Sequence, residues 1–191
     1  MKYAIPAVIF SGGKSSRMGR DKALLPFGGY ASLSHYQYMR LQHYFSAVYL
    51  SAKEDKFDFE ASLIHDRYAL SSPLVAILSV FETLKADEVF VLSVDAPFVN
   101  EDVVRKLMEE RQEGLDAVIA RTPGGVQPLC GIYRRSLMPL AYRQLEEKRH
   151  RLTALLEKGS THYVTFEDER PFLNVNHPHE YEAALCIKGK N

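Results

Sequence analysis

The chain has 191 residues, and its 24 Lys and Arg residues balance its 24 Asp and Glu residues. A balanced charge gives no sign of nucleic-acid or anionic-membrane binding, and no stretch approaches the roughly 20 apolar residues of a membrane-spanning helix. The presence of only two cysteines, and of an N-terminus without the long apolar segment of a signal peptide, favours the reducing cytoplasm. We therefore expect a cytoplasmic protein with a single domain over residues 1–191.

Apolar runs alternate with helical patterns along the first part of the chain. The pattern predicts strands at 7–10, 47–51 and 63–64, helices at 34–45 and 73–84, and then a strand at 89–94. The strand at 89–94 is almost wholly apolar, as expected of a central strand buried on both faces. Asn100 has the character of an N-cap, with Glu101 and Asp102 in the first turn of a helix that ends near residue 112.

The second part of the chain continues the alternation. It predicts a strand at 116–120, a turn at 122–125, an extended segment at 127–134, helices at 137–147 and 152–157, a strand at 161–166, a polar loop at 167–171 and a closing helix at 180–187. This order is typical of α/β proteins with a mostly parallel sheet. We predict a three-layer α/β sandwich whose ligands bind at the carboxyl edge of the sheet.

The first predicted strand runs into a glycine-rich loop. Residues 7–22 read AVIFSGGKSSRMGRDK, and the glycines allow backbone N–H groups to approach a phosphate closely. Arg17 and Lys22 supply the positive charge that a triphosphate needs. The residue order fits neither the Walker A loop nor the dinucleotide-binding loop. A Gly-Gly pair alone usually makes only a turn, so the signal lies in the whole string.

Asp95 directly follows the most buried predicted strand. Magnesium prefers one or two protein carboxylates and takes its other ligands from phosphates and water. The residues alone leave open whether Asp95 binds Mg²⁺ or caps the following turn. We assign Lys22 to the α-phosphate of a nucleotide and Arg17 to the β- and γ-phosphates; the alternative is that both are ordinary exposed cations.

These motifs resemble those of the nucleotidyltransferases of the glycosyltransferase-A-like fold, and most of all the molybdenum cofactor guanylyltransferases. The resemblance extends from about residue 4 to about residue 181, and it is carried by Phe10-Ser11-Gly12-Gly13, Arg17-Met18-Gly19, Asp21-Lys22, Ser72-Pro73-Leu74, Val94-Asp95-Ala96-Pro97-Phe98, Gln127-Pro128-Leu129 and Asn174-Val175-Asn176-x-Pro178. It implies a Rossmann-like nucleotidyltransferase fold. It also implies transfer of GMP from GTP to molybdenum-bearing molybdopterin, with release of pyrophosphate.

The resemblance implies catalytic roles for Lys22, Arg17 and Asp95, with Mg²⁺ on Asp95. The residues it places around GTP are Phe10, Ser11, Gly12, Gly13, Lys22, Lys53, Asp66 and Asp95. Asp66 would accept hydrogen bonds from guanine N–H groups or ribose hydroxyls, and the alternative is a solvated loop residue. Two positions depart from the family pattern: Lys53 stands where asparagine is frequent, and Ser72 replaces a glycine, so base selection stays open.

Asn174 and Asn176 flank Val175 in a strand-like trio that would place both amides on one face. The resemblance favours a molybdopterin-binding role for them, whereas the alternative is a cap for the helix near Pro178. Weaker candidates for contact with the acceptor phosphate are Gln127, Arg149 and Arg151. His177 and His179 are more typical of a surface turn than of a metal site.

Three interpretations of the whole chain differ in substrate and in catalysis. The first takes GTP and molybdopterin as substrates, with molybdoenzyme apoproteins or cofactor-delivery proteins as further partners. The second is a transferase of the same fold that uses CTP or another nucleotide with a different phosphate acceptor. The third is a nucleotide-binding chaperone of molybdoenzymes without turnover, against which the joint presence of Lys22 and Asp95 argues.

Overall fold

The computed structural model describes residues 2–12 and 19–188. Its strands are β1 (Ala7–Phe10), β2 (Val48–Ala52), β3 (Leu63–His65), β4 (Glu88–Ser93), β5 (Ala117–Thr122), β6 (Gly125–Arg134) and β7 (Thr161–Thr165). Its α-helices are α1 (Leu33–Tyr44), α2 (Pro73–Thr83), α3 (Glu101–Glu109), α4 (Met138–Glu146), α5 (Leu152–Lys158) and α6 (Pro178–Lys188). No helix among these is long and apolar enough to cross a membrane.

The strands form one sheet in the order β3-β2-β1-β4-β6-β5-β7. β1 pairs in parallel with β2 and β4, β2 with β3, and β5 with β7, whereas β6 is antiparallel to both β4 and β5. The reversal follows from the short turn between Thr122 and Gly125, since a parallel connection requires a crossover of a dozen or more residues. The prediction of a mostly parallel sheet is confirmed.

The core lies on both faces of this sheet and confirms the three-layer prediction. In β1, Ala7 and Ile9 pack in the layer that contains buried residues of α1, α3 and α6. Val8 and Phe10 point to the opposite face and pack in the layer that contains α2, α4 and α5. β1 is therefore buried on both faces. Its packing fixes the point at the edge of the sheet where the residues after Phe10 begin.

The predicted elements are present, and their differences from the structure are local. The helix predicted to reach residue 112 ends at Glu109, where Arg111 donates back to the carbonyl of Met108. A 3-10 turn (Arg135–Leu137) precedes α4, and another (Arg170–Phe172) overlaps the end of the predicted polar loop. The expectation of a strand-like trio at 174–176 is wrong, because this segment is irregular and pairs with a loop rather than with the sheet.

Candidate active site

Three neighbouring cavities, which together we call the cleft, lie along the carboxyl edge of the sheet. Its first cavity lies where β1, β2, β3 and β4 end, and its lining includes Phe10, Gly12, Ser51, Asp66, Ser72 and Ser93. The middle cavity shares Ser93 and Leu129 with the first and adds Asp95. The third cavity shares Gln127, Phe172 and Asn174 with the middle one and adds Asn176 and Glu180. The first and third cavities are thus the two ends of the cleft, and the middle cavity, lined by Asp95, lies between them.

Lys22 contacts one residue of the middle cavity and one residue of the third cavity. Its Nζ forms an ion pair with Asp95 and donates a hydrogen bond to Asn176 Oδ1 at 3.0 Å. These residues are 73 and 154 positions apart from Lys22 in the chain. The side chains of Lys22 and Asp95 are 20% and 14% exposed, so the pair borders the cleft and stays within reach of a ligand. The structure therefore brings together three of the residues singled out in the sequence.

A capped turn and an ion pair hold Lys22 beside Asp95. A short 3-10 turn (Lys22–Leu24) follows the glycine-rich segment, and Asp21 caps it by accepting from the N–H of Ala23 at 3.0 Å. Lys56 forms an ion pair with the same aspartate and donates to the carbonyl of Ser11 at 3.0 Å. Lys56 thus links the end of β1 to the turn that carries Lys22. Its own stretch of sequence has no periodicity that would have indicated this role.

The segment 174–176 lies over the loop of Asp95. The N–H of Val175 donates to the carbonyl of Asp95 at 2.8 Å, and the Val175 side chain is buried. Asn174 is exposed, and Asn176 is half-buried against Lys22. Both asparagines line the third cavity, although the segment that carries them is not a strand.

Glu180 caps α6, and the side chain of Asn176 does not. The Glu180 carboxylate accepts from the N–H groups of Asn176 at 2.7 Å and His177 at 2.9 Å, as in a capping box. Burial raises the pKa of Glu180, but the two backbone hydrogen bonds, together with the nearby His177 and His179, outweigh burial and lower it. The cap alternative for Asn176 is therefore not what the structure shows.

Asp66 occupies the far end of the first cavity. Ser51 Oγ donates to its Oδ1 at 3.4 Å, and its Oδ2 lies close to Gly12, where a Cβ atom would be 3.9 Å away. Burial raises the pKa of Asp66, against the opposing effects of Ser51, Lys53 and His65. Phe10 and Gly12 line the same cavity, while Ser11 is buried behind them.

The two departures from the family pattern have different surroundings. Lys53 is exposed and donates to the carbonyl of Ala69 at 3.1 Å, and it is not among the residues that line the first cavity. Ser72 caps α2 by accepting from the N–H of Val75, and its hydroxyl lies 3.4 Å from His150 Nδ1. The serine therefore has a structural use at the position where the family has glycine.

The remaining candidates separate into three groups. Gln127 lines the middle and third cavities. Arg149 and Arg151 are exposed, with Arg149 in an ion pair with Glu147, and neither lines the cleft cavities. Gly13 and Arg17 lie outside the described residues. In residues 2–12 and 19–188, no group of three or more His, Cys, Asp and Glu side chains could hold a metal ion.

Sequence comparison finds relatives that match nearly the whole chain. Residues 7–163 match the family model described as the MobA-like NTP transferase domain. The chain is 41% identical over 177 residues to a molybdenum cofactor guanylyltransferase of Campylobacter jejuni, covering 92% of each. It is 33% identical over 192 residues to one from Helicobacter pylori, covering 97% of this chain and 94% of the other.

Solved structures show the same fold. Molybdopterin-guanine dinucleotide biosynthesis protein A from Archaeoglobus fulgidus superposes with a TM-score of 0.85 at 21% identity, over 98% of this chain and 100% of the other. A putative protein from Aquifex aeolicus superposes with a TM-score of 0.77 at 27% identity, over 90% and 93% of the two chains. By its sequence relatives and its matched family model, the chain belongs to the molybdenum cofactor guanylyltransferase family of MobA-like NTP transferase domains.

Proposed function

We propose that the protein transfers the GMP part of GTP to the phosphate of molybdopterin that carries molybdenum, and releases pyrophosphate. The observation that carries this proposal is the contact of Lys22 with both Asp95, which lines the middle cavity, and Asn176, which lines the third cavity. Family membership supplies the substrate classes, since the relatives are named as guanylyltransferases of the molybdenum cofactor. We further propose that residues 1–191 act as one nucleotidyltransferase domain.

The two substrates are assigned to opposite ends of the cleft. The first cavity, with Gly12 and the half-buried Asp66, would take the guanosine of GTP, because a carboxylate can accept from two guanine N–H groups or hold ribose hydroxyls. The third cavity, with Asn174 and Asn176, would take the pterin, whose edge offers donors and acceptors to amide groups. The triphosphate and the acceptor phosphate would then meet beside Lys22.

The reaction needs positioning and charge neutralisation more than proton transfer. An oxygen of the acceptor phosphate attacks the α-phosphorus of GTP and forms a new P–O bond. The bond from the α-phosphorus to the oxygen that bridges to the β-phosphate breaks, and pyrophosphate leaves with the electron pair. The acceptor oxygen is already anionic, so no general base is required. Lys22 stabilises the negative charge that is redistributed on the α-phosphate.

Asp95 fits a magnesium ion by the chemistry of its surroundings. It presents one partly exposed carboxylate at the middle cavity, and Mg²⁺ prefers one or two carboxylates with phosphates and water as its other ligands. When bound, the ion would neutralise phosphate charge next to Lys22. The binding of Mg²⁺, the cytoplasmic location, and delivery of the product to molybdoenzyme apoproteins or cofactor-delivery proteins remain parts of the proposal.

Pyrophosphate release tests the function. The protein is mixed with Mg²⁺, molybdenum-bearing molybdopterin and each of GTP, CTP, ATP and UTP in turn. We expect release with GTP that depends on the acceptor. A preference for CTP would instead support another transferase of the same fold. GTP binding without any release in the presence of the acceptor would support a non-catalytic chaperone.

Replacing Asp66 with asparagine tests the guanosine end. We expect GTP affinity to fall by roughly tenfold to a hundredfold, because hydrogen bonds to a charged group contribute about 1.5–3 kcal/mol. In the wild type, affinity should fall as pH decreases, since protonation removes the accepting carboxylate; the raised pKa of Asp66 moves this loss to a higher pH than for an ordinary aspartate. Isothermal titration across pH measures both effects.

The exposed Asp58 provides a matched control, since Asp58→Asn removes the same charge outside the cavity. Its GTP affinity and pH profile should equal those of the wild type. A pH profile that is unchanged in Asp66→Asn would remove Asp66 from the nucleotide site.

Replacing Asn174 and Asn176 separately tests the acceptor end. Each alanine variant should bind molybdopterin more weakly, because an unpaired buried polar group on the ligand costs about 1–3 kcal/mol. Asn176→Ala should also lower kcat, since it removes a contact that orients Lys22, whereas Asn174→Ala should not. Steady-state kinetics with molybdopterin varied separates the two parameters.

The melting temperature serves as the control for both asparagine variants. It should stay near that of the wild type, because Glu180 rather than the Asn176 side chain caps α6. Equal acceptor affinity in the wild type and both variants would contradict the assignment of the third cavity to the pterin.

A further inference from the structure

Helix α1 carries a row of polar side chains toward the interior of the protein. Ser34, Gln37 and Arg40 are spaced three residues apart, so they lie along one side of the helix. Ser34 and Gln37 are completely buried, at 0% exposure, and Arg40 is half-buried. Buried polar groups destabilise a fold unless they are hydrogen-bonded, so the partners of this polar row indicate its use.

The partners are backbone carbonyls of the two segments that carry Lys22 and Asp95. Ser34 Oγ donates to the carbonyl of Ala23, the residue after Lys22, at 2.9 Å. Gln37 Nε2 donates to the carbonyls of Ser93 and Val94, the two residues before Asp95, at 3.4 and 3.3 Å.

Arg40 supports the same arrangement from behind Gln37. Its guanidinium donates to Gln37 Oε1, which fixes the amide with its Nε2 toward β4. It also donates to the carbonyl of Val99, at the far end of the loop that begins at Asp95. The polar row therefore contacts the backbone at both ends of the Asp95 loop. It also contacts Ala23, the middle residue of the Lys22 turn.

We propose that the polar row of α1 positions the reacting groups, with Gln37 and Arg40 holding Asp95 and Ser34 holding Lys22. The three residues act through backbone atoms and touch no substrate, so they are positioning residues. One rigid helix would set the separation between a cation and a carboxylate that are 73 residues apart in the chain. This inference rests on the proposed function, because it takes Asp95 as the carboxylate that holds the divalent ion.

Gln37→Met removes the amide while it keeps an unbranched side chain of similar volume. Two quantities are measured: Mn²⁺ binding to the protein in the presence of GTP, by electron paramagnetic resonance without acceptor, and the Mg²⁺ concentration that gives half the maximal rate. We expect Mn²⁺ binding to weaken by about tenfold and the Mg²⁺ midpoint to rise by a similar factor, the size that loss of one or two buried hydrogen bonds produces.

Gln144→Met is the matched control. Gln144 is also buried, at 1% exposure, and donates to a backbone carbonyl, that of Arg151, at 2.9 Å, but it lies on α4 and lines none of the cleft cavities. Both variants lose side-chain hydrogen bonds to backbone carbonyls, so both should melt at a lower temperature. Only Gln37→Met should show the change in metal binding. Equal metal binding in the two variants would overturn the inference and leave Gln37 with a purely structural role.

Ser34→Ala is a milder change and provides the test if Gln37→Met does not fold. It should lower kcat by about tenfold, because Lys22 loses its support, and leave Mn²⁺ binding at the wild-type value. An unchanged kcat would overturn the inference. The proposed function fails separately: wild-type protein that releases no pyrophosphate refutes it, whereas Mn²⁺ binding measured without turnover still tests Gln37.

Discussion

Replacing Asp95 with asparagine should lower the rate of GMP transfer by about a hundredfold or more, because metal neutralisation of phosphate charge contributes several kcal/mol to such reactions. Asparagine keeps the shape of the side chain and can still accept from Lys22, but it lacks the charge that holds a divalent ion. The hydrogen bond from Val175 goes to the Asp95 backbone carbonyl and survives the change. Initial rates at limiting and saturating Mg²⁺ measure the effect.

Asp102→Asn is the control for this experiment. Asp102 is 78% exposed and pairs with Arg105 on the surface of α3, so its loss should leave the rate and the magnesium dependence unchanged. The stability of Asp102→Asn should change little, since exposed ion pairs contribute roughly 0–1 kcal/mol. Near-normal turnover of Asp95→Asn at limiting Mg²⁺ would refute the metal assignment.

Replacing Lys22 with alanine should lower kcat by about a hundredfold or more while it raises the Michaelis constant for GTP much less. The reason is that the contact with the α-phosphate strengthens as charge is redistributed in the transition state. A contact of equal strength in the ground state would change only the Michaelis constant. Steady-state kinetics with GTP varied separates the two outcomes.

Lys106→Ala provides a matched loss of a lysine, since Lys106 lies on α3 and donates to the carbonyl of Thr165. This variant should keep wild-type kinetics. By contrast, the sequence predicts that Arg17→Ala weakens the binding of the triphosphate by similar amounts in the ground state and in the transition state. A Lys22→Ala enzyme with a normal kcat would contradict the role given to Lys22.

The fold was predictable because strands that are buried on both faces of an α/β sheet are seen in the sequence as apolar runs. β1 is wholly apolar and β4 is apolar over residues 89–92, as expected of strands covered on both faces, and the two strands occupy the centre of the sheet. Asn100, predicted as an N-cap, caps the start of α3 with its side chain. The ends of elements were less predictable: the α3 pattern continues past Glu109, where Arg111 closes the helix.

Part of the candidate site was predictable from motif and topology. A residue that follows the carboxyl end of a central strand faces the ligand edge, which is sufficient to single out Asp95. The contact between Lys22 and Asn176 was not predictable, because it joins residues 154 positions apart through a segment with no regular structure. A strand pattern of alternating residues predicts which side chains share a face but not whether the segment joins the sheet.

The polar row of α1 shows why other residues near the site could not be predicted from the sequence. Ser, Gln and Arg at a spacing of three residues are typical of the solvated side of a helix. Their burial follows only from the packing of α1 against the Lys22 turn and the Asp95 loop, whose carbonyls they satisfy. Lys56 is a similar case, since its partners Ser11 and Asp21 lie 45 and 35 positions away in the chain.

The fate of the GTP phosphates tests the central claim most directly. The protein is given molybdenum-bearing molybdopterin and Mg²⁺ with GTP that carries a radioactive label at either the α- or the γ-phosphate, and the products are separated. Guanylyl transfer predicts that the α-label enters the pterin product and that the γ-label appears only in pyrophosphate. Release of the γ-label as inorganic phosphate, or an α-label that never enters the pterin product, would contradict it.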